Sequence, residues 1–519
     1  MHMTGSPNTT TRAIFGTISL FILFFIGLGA YPLLDPDEPV YGQVAKEMVR
    51  SGGWLTPHYN GHFWFDKPPL HYWLSAASMK VFGVNELAAR LPSAIMAVLV
   101  VLLVYLLASH DFGKRVGIFA AIVMATCLQQ IILARAAVTD MTFVFCLIFA
   151  LYSYRRWLTS ESTLWAALCG VATGLGMLTK GPVAPLLLSV TFVIHLYWTR
   201  KLSRLKSLDT LVAVAAVLIV GLPWFAAMYH LHRVDFVNDF IIKNNFQRFL
   251  RPEHAKVTGH WYSYFMNIPI LFVFFFPWSV FLIQSIRKCA RINDGTKLAI
   301  VWSVIVFGFF SLSKTQLVTY IFPLYPAIAV LVGVFLEAAS VRDIHKPLYA
   351  GLGASIALAA GLIQTVHHLK YHDAEKSVMI LSILLPLTFL IAIIRMRRPN
   401  DVVKIIGVGM MVFTLWMTFG IGPFIGKYVS MKDITRSIPN SPAVRIIQFD
   451  AEKPSFLFYS DRQPEQISDP AKVKDLLAEE QPICVIAKKK RANILSAPGL
   501  TEIEKGDFVI IENQAATKL

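Results

Sequence analysis

Charge is scarce in this chain, and acid is scarcer than base: of 519 residues only 15% are Asp, Glu, Lys or Arg, with 32 acids against 48 bases. A soluble chain of this length would fold as several domains with charged surfaces. So few charges beside 55% hydrophobic residues exclude that class and point to a helix bundle solvated by lipid. Cysteine is also sparse. Four of the five, Cys127, Cys146, Cys169 and Cys289, lie in or beside apolar runs with no CxxC spacing, so neither a disulfide framework nor a zinc cluster follows. HExxH, internal repeats and low-complexity segments are missing, which counts against an inverted-repeat transporter. The first apolar run, Ala13 to Ala30, continues into Tyr31-Pro32-Leu33-Leu34 without a small-residue cleavage site and is read as a retained span.

What the chain has in abundance is apolar runs of spanning length, for which about 20 residues suffice. They recur near 13–34, 88–109, 116–134, 141–157, 163–180, 183–199, 208–229, 265–286, 297–313, 317–338, 347–368, 377–395 and 404–422, predicting about 13 transmembrane helices. The net charge of +16 would suit nucleic acid, but its cations sit in short clusters between the runs. Lys114-Arg115, Arg155-Arg156, the Arg200 to Lys206 group, Arg287-Lys288-Arg291, Arg342 with Lys346, and Arg395-Arg397-Arg398 fall in every second loop. By the positive-inside rule those loops and the N-terminus are cytoplasmic, and no nucleic-acid partner is expected. The other face carries two long loops, 35–87 and 230–264, and the tail. Residues 1–422 are expected to form the transmembrane domain. Residues 423–519 are expected to form a small α/β domain, with strands at Arg445–Phe449, Ser455–Tyr459, Pro482–Ala487 and Asp507–Ile511 and a helix from Asp469-Pro470 to about Glu480.

Ionisable groups near membrane depth are costly, so their concentration on one face marks that face as functional. The first outer loop opens Leu34-Asp35-Pro36-Asp37-Glu38-Pro39, predicting a helix to about Arg50 along the membrane surface through Val40, Val44, Ala45, Met48 and Val49. Asp37 and Glu38 stand at its start, where the plainer reading is a pair of helix caps. A second helix follows Phe63-Trp64-Phe65-Asp66-Lys67-Pro68-Pro69 and ends near Gly83, with Asp66 as candidate cap and Lys67 either snorkelling or functional. Asp140 stands at the outer end of a span. Asn244 to Phe249, with Gln247 and Arg248, and Thr258 to Tyr262, with His260, mix basic and aromatic groups in a way that suits an amphiphile with an anionic head. The Lys314 turn and Tyr320 add a cation and a phenol. Asp66, Glu38 and His260 are the candidate ligands for a zinc or manganese ion contributed from separate loops; Lys180 and Arg135 suit a plain structural ion-pair network.

These motifs together resemble the GT-C polyprenyl-phosphate glycosyltransferases, most closely the bacterial lipid A aminoarabinose transferases related to protein O-mannosyltransferases. The resemblance is carried by Asp37-Glu38 with Ala45 to Met48 and Ser51 to Trp54, then Asp66-Lys67-Pro68, Thr139-Asp140, Met177 to Gly181, Gln247 to Phe249, and Lys314 with Tyr320 before Pro323. One departure is Asp66, where the aminoarabinose enzymes carry Glu. The resemblance implies a GT-C fold with outer-face juxtamembrane helices and transfer of a sugar, 4-amino-4-deoxy-L-arabinose by preference, from undecaprenyl phosphate to lipid A at the periplasmic face of the bacterial inner membrane. It places Lys67, Arg248, Lys314 and Tyr320 around the carrier phosphate, Asp37 first and Asp140 second as catalytic acids, and Glu38, Tyr41, Lys180 and Gln247 in support. The alternatives are transfer of another sugar to protein or glycan and, in a different class, a carrier-lipid flippase.

Overall fold

The computed structural model describes residues 9–250, 264–287, 292–369, 371–495, 500–505 and 507–518. Its first half runs α1 (Thr9–Phe24), α2 (Asp37–Ser51), α3 (Leu70–Phe82), α4 (Glu86–Phe112), α5 (Lys114–Thr126), α6 (Leu128–Ala134), α7 (Asp140–Ser160), α8 (Thr163–Lys180), α9 (Val183–Trp198) and α10 (Leu208–Phe236). Helices Asn267–Phe274, Asp294–Leu312, Tyr325–Ala338, Val341–Leu369, Glu375–Ile394 and Pro399–Trp416 follow. Each of the thirteen apolar runs therefore carries helix. Among the described residues six helices are long and apolar enough to cross a membrane by length and composition, or eight if each of two bent pairs is one span.

The bends have a common cause. α5 and α6 turn by 63° at Cys127, and Asn267–Phe274 and Trp278–Arg287 by 113°. Backbone groups freed by a break must find new partners where water is absent. Here the breaks serve each other: the Leu128 N–H donates to the Phe276 carbonyl at 2.9 Å, and the Trp278 indole N–H donates to the Thr126 hydroxyl at 2.9 Å. Elsewhere close packing relies on small residues. A Cβ on Gly170 of α8 would lie 2.1 Å from the Ala213 carbonyl oxygen of α10, and one on Gly174 would lie 2.9 Å from Val220.

α2 and α3 form as the sequence predicts, α2 ending at Gly52 in the left-handed conformation with its N–H on the Met48 carbonyl. No side chain caps either start, so the cap readings of Asp37, Glu38 and Asp66 are corrected: prolines stand at both cap positions and the acids turn elsewhere. The apolar face of α2 also differs from the expected surface-lying one. Val44, Ala45 and Met48 are buried in a cluster with Tyr72, Ala76, Ala88, Ala89 and Phe458, packing α2 against protein. Burying Val44 and Met48 contributes about 1.5–3 kcal/mol each.

The tail forms a five-stranded sheet in the order Glu465–Ile467, Arg445–Phe449, Ile483–Lys488, Phe508–Glu512, Thr501–Lys505, the first three parallel and the last two antiparallel to their neighbours. The expected helix appears as Pro470–Leu477, capped by the Asp469 carboxylate on the Ala471 N–H. The expected strand at Ser455–Tyr459 is instead the helix Pro454–Ser460. It covers one face of the sheet through Phe456, which packs with Ile446, Ile486 and Ile510, and presents Phe458 to the α2 cluster. The helical path before the sheet extends through Gly422–Val429.

Candidate active site

Helix ends decide which side chains meet. The start of α7 and the end of α8 bring Asp140 to Lys180, paired at 2.8 Å with the ammonium 5.2 Å from the Phe143 ring centroid. The turn before α3 supplies Asp66 and Lys67, whose ammonium donates to the Asp66 carboxylate at 2.9 Å and to its carbonyl at 3.1 Å. α10 kinks at Arg233 and passes into a π-helix, Val237–Gln247, which delivers Arg248 to the other Asp66 oxygen at 3.2 Å. Asn244 on the same π-helix donates to the Phe65 carbonyl at 3.4 Å. The Lys314 backbone N–H donates to the Phe249 carbonyl at 3.0 Å, setting the Lys314 turn beside Arg248 with the Lys314 side chain exposed. Tyr320 packs on Phe310 with centroids 5.5 Å apart and lies close enough to Arg248 for that cation to act on its phenol.

Asp37 differs from the other two acids. Asp140 has Lys180, and Asp66 has Lys67 and Arg248, whereas among the described residues Asp37 makes no ion pair. The Asp37 residue is exposed, yet the protein crowded around its carboxyl, then the negative charges of Asp140 and Asp66, push it above the usual value, with Lys67 and Arg248 opposing. For Asp66, burial favours the neutral form, but Lys67 and Arg248 outweigh it and hold the carboxyl below its ordinary range. Burial depresses the Lys67 ammonium, with Asp66 acting against it. Tyr41 of α2 lies edge-on to His71 at 5.9 Å and feels Asp66, Asp140 and Asp37 on a phenol that burial holds far from ionisation.

Glu38 is placed otherwise than expected. Its carboxylate takes a two-pronged bond from Arg90 at 2.8 and 2.7 Å and backbone N–H groups from Leu34 and Ala137, both at 2.8 Å. Arg90 also donates to the carbonyls of Leu28, Tyr31 and Pro32. A carboxylate so occupied is a brace between the first loop, α4 and the turn before α7, and it is not a partner for Asp66 at a metal. His260, the third candidate ligand, lies outside the described residues with the rest of Thr258 to Tyr262. No group of three His, Cys, Asp or Glu side chains suited to a metal occurs among the described residues. Gln247 is exposed, and no hydrogen bond joins its side chain to the cluster. Arg135 donates to the carbonyls of Leu23 and Ile26 and takes no part in the Lys180 pair.

Two residues went unseen in the sequence. Arg90 is an ionisable group just inside an apolar run, which is itself a signal. His71 of α3 is fully buried, its Nδ1 bonded to the Thr142 hydroxyl at 3.0 Å, and burial lowers its pKa to about 4. It had no local signal, because Thr142 is 71 residues away.

A family model described as dolichyl-phosphate-mannose-protein mannosyltransferase matches residues 66–226, from the Asp66-Lys67 turn through Asp140 and Lys180. An undecaprenyl phosphate-α-4-amino-4-deoxy-L-arabinose arabinosyl transferase of Pseudomonas fluorescens is 30% identical over 436 residues, covering 80% of this chain and 75% of that protein. The chain belongs to this arabinosyl transferase family. A family member from Erwinia tasmaniensis is 29% identical over 72% of this chain and 69% of its own length. The fold agrees: the crystal structure of ArnT from Cupriavidus metallidurans bound to undecaprenyl phosphate superposes with a TM-score of 0.83 at 23% identity, covering 98% of this chain and 99% of that one. An oligosaccharyltransferase from Archaeoglobus fulgidus gives 0.53 at 14% identity over 93% and 69%. The expected GT-C architecture is thus found, the match to the mannosyltransferase model is confined to residues 66–226, and the protein is a multi-pass membrane glycosyltransferase.

Proposed function

We propose that this chain transfers 4-amino-4-deoxy-L-arabinose from undecaprenyl phosphate to a phosphate of lipid A at the periplasmic face of the bacterial inner membrane. The family supplies the sugar and the carrier. The observation that supports the chemistry is the contrast at the site, where among the described residues Asp37 has no counter-ion, while Asp66, Lys67 and Arg248 are held together. In the reaction an acceptor oxygen attacks the anomeric carbon, the bond from that carbon to the carrier phosphate breaks, and the configuration inverts. Undecaprenyl phosphate leaves with the electron pair and gains negative charge. Fixed cations and donors stabilise such charge most when it is greatest, in the transition state. Lys67, Arg248, Lys314 and the Tyr320 hydroxyl fill that role, with Asp66 keeping the first two in place.

Asp37, with its raised pKa, is suited to take a proton from a protonated acceptor phosphate or to hold the sugar's amino group. Asp140 fixes Lys180 and adds the negative charge that tunes Asp37. A flippase would need a polar route through the bilayer, whereas the groups gathered here sit at one rim. The test is direct: purified protein in lipid nanodiscs with the sugar carrier and lipid A, the product read by mass spectrometry. Phosphate-linked aminoarabinose on lipid A is expected; transfer of a different sugar, or to a protein alone, rejects this substrate pair.

A further inference from the structure

The start of α2, which carries Asp37, has no side-chain cap of its own. Beside its packing on α3 and α4 and the Glu38–Arg90 brace, the helix is held from the other end of the chain. The Asp35 carboxylate accepts both the backbone N–H and the hydroxyl of Ser455, capping the Pro454–Ser460 helix of the tail domain. The Tyr459 hydroxyl accepts the Leu33 N–H at 2.8 Å and donates to Glu86 at 2.9 Å. Phe458 packs so near Gly42 that an added Cβ would stand 3.1 Å from its ring. One turn on, the buried Lys46 ammonium donates to the Phe458 carbonyl at 2.6 Å and pairs with Asp461 at 2.5 Å. A further turn on, Arg50 grips both oxygens of the same Asp461 at 2.7 and 2.9 Å.

We propose that the Pro454–Ser460 helix and Asp461 are positioning elements of the active site, setting through Lys46, Arg50 and Asp35 where α2 holds Asp37. The arrangement has the geometry this needs. Its contacts run along one side of α2 from just before the helix to its last turn, so they fix both its axial position and its rotation. The Pro454–Ser460 helix is itself seated on the sheet by Phe456, so the sheet acts as a rigid backing. Asp461 stands in the left-handed conformation at φ 57°, where the chain leaves that helix and its carboxylate meets both cations. Lys46 has little alternative: removing Asp461 leaves a buried ammonium with one carbonyl, and the helix must move or the lysine must lose its proton. Since displacement of a reacting group by about 1 Å costs about a hundredfold in rate, a small rotation of α2 reaches the chemistry. The tail domain is then part of the catalytic apparatus, whatever it does for the acceptor.

This rests on the reading of Asp37 as the group at the sugar, and the test separates the two. Full-length protein in nanodiscs is compared as parent, Asp461→Asn, Asp461→Glu and Tyr459→Phe, by transfer kinetics and by hydrogen exchange. For Asp461→Asn, kcat is expected to fall about tenfold or more with KM for the carrier within about twofold. Amides of 37–51 lose protection while those of 445–449 and 483–488 keep theirs. Asp461→Glu recovers most of kcat, and Tyr459→Phe gives a smaller loss of the same kind, which serves if Asp461→Asn does not fold. Parent-like kcat with parent-like exchange in α2 overturns the proposal, as does loss of protection spread evenly over sheet and spans. If the parent transfers no sugar, the functional reading fails, and the exchange pattern of α2 still decides this one.

Discussion

The two ends of the helix bundle both gather charge, and they treat it differently. At the end where α4 and α7 finish and the Asp294–Leu312 helix begins, four acids have partners: Asp111 takes Arg155 at 2.7 Å and His110 at 2.8 Å, Asp294 takes Lys201 at 2.8 Å, Glu161 takes Arg204, and Asp209 accepts from Trp157 and Thr163. At the other end Asp66 and Asp140 are likewise closed, but among the described residues Asp37 has no counter-ion, and Lys314 is exposed. Closure is what a structural network requires, because a charge left unpaired in a poorly solvated place raises the energy of the fold. Asp37 is exposed and can stay unpaired without that cost, which leaves its carboxylate available to meet a substrate's charge or proton.

Replacing the exception should have the largest effect on turnover. Asp37→Asn is expected to lower kcat at least about a hundredfold while carrier binding, measured by quenching with a fluorescent polyprenyl phosphate, persists; parent-rate transfer would remove the residue from the chemistry. Because its carboxyl lies above the ordinary value, and the ionised form is the one that accepts a proton, the rate should fall as pH drops through that raised value. The acid limb of the pH profile then sits above the usual Asp range near about 3.9. Asp140→Asn, which removes a negative neighbour, should move that limb to lower pH, and a limb that stays put would separate the two acids.

Next in size come the cations proposed to surround the leaving group. Arg248→Lys keeps charge but loses the planar fork, and about a tenfold to hundredfold drop in kcat/KM is expected, read from initial rates against carrier concentration. At the opposite end, Arg155→Ala strands the buried Asp111. Thermal melting should show a loss of about 3–5 kcal/mol, with kcat of the surviving protein unchanged. Smallest of all, Glu161→Gln removes an exposed partner and should alter stability by about 0–1 kcal/mol with no effect on transfer. Should Arg155→Ala depress kcat as strongly as Arg248→Lys, the distinction between the ends would collapse.

Much of this was legible in the sequence because its causes are local. Alternation of apolar runs and cationic loops marks the helices and the shared rim of Asp37, Asp66, Asp140 and Arg248, and prolines followed by a glycine bound α2 and α3. The misreadings have distant causes. Ser455-Phe456-Leu457-Phe458-Tyr459 reads as a strand by composition, yet its cap is Asp35, 420 residues earlier. Glu38 looks like a site acid until Arg90, 52 residues on, is seen to hold it. The breaks at Cys127 and Phe276 meet each other, the Leu128 N–H on the Phe276 carbonyl and the Trp278 indole on the Thr126 hydroxyl. Short edge strands such as Glu465–Ile467 carry little pattern and take their pairing from Arg445–Phe449.

The widened coil between α10 and Arg248 also fixes an angular register. In an ordinary helix each residue advances about 100° around the axis, so deleting one residue from Val237–Gln247, or tightening it to normal winding, would swing the guanidinium away from Asp66 without altering either residue. Chain length in that segment is thus a hidden part of what brings Arg248 to Asp66.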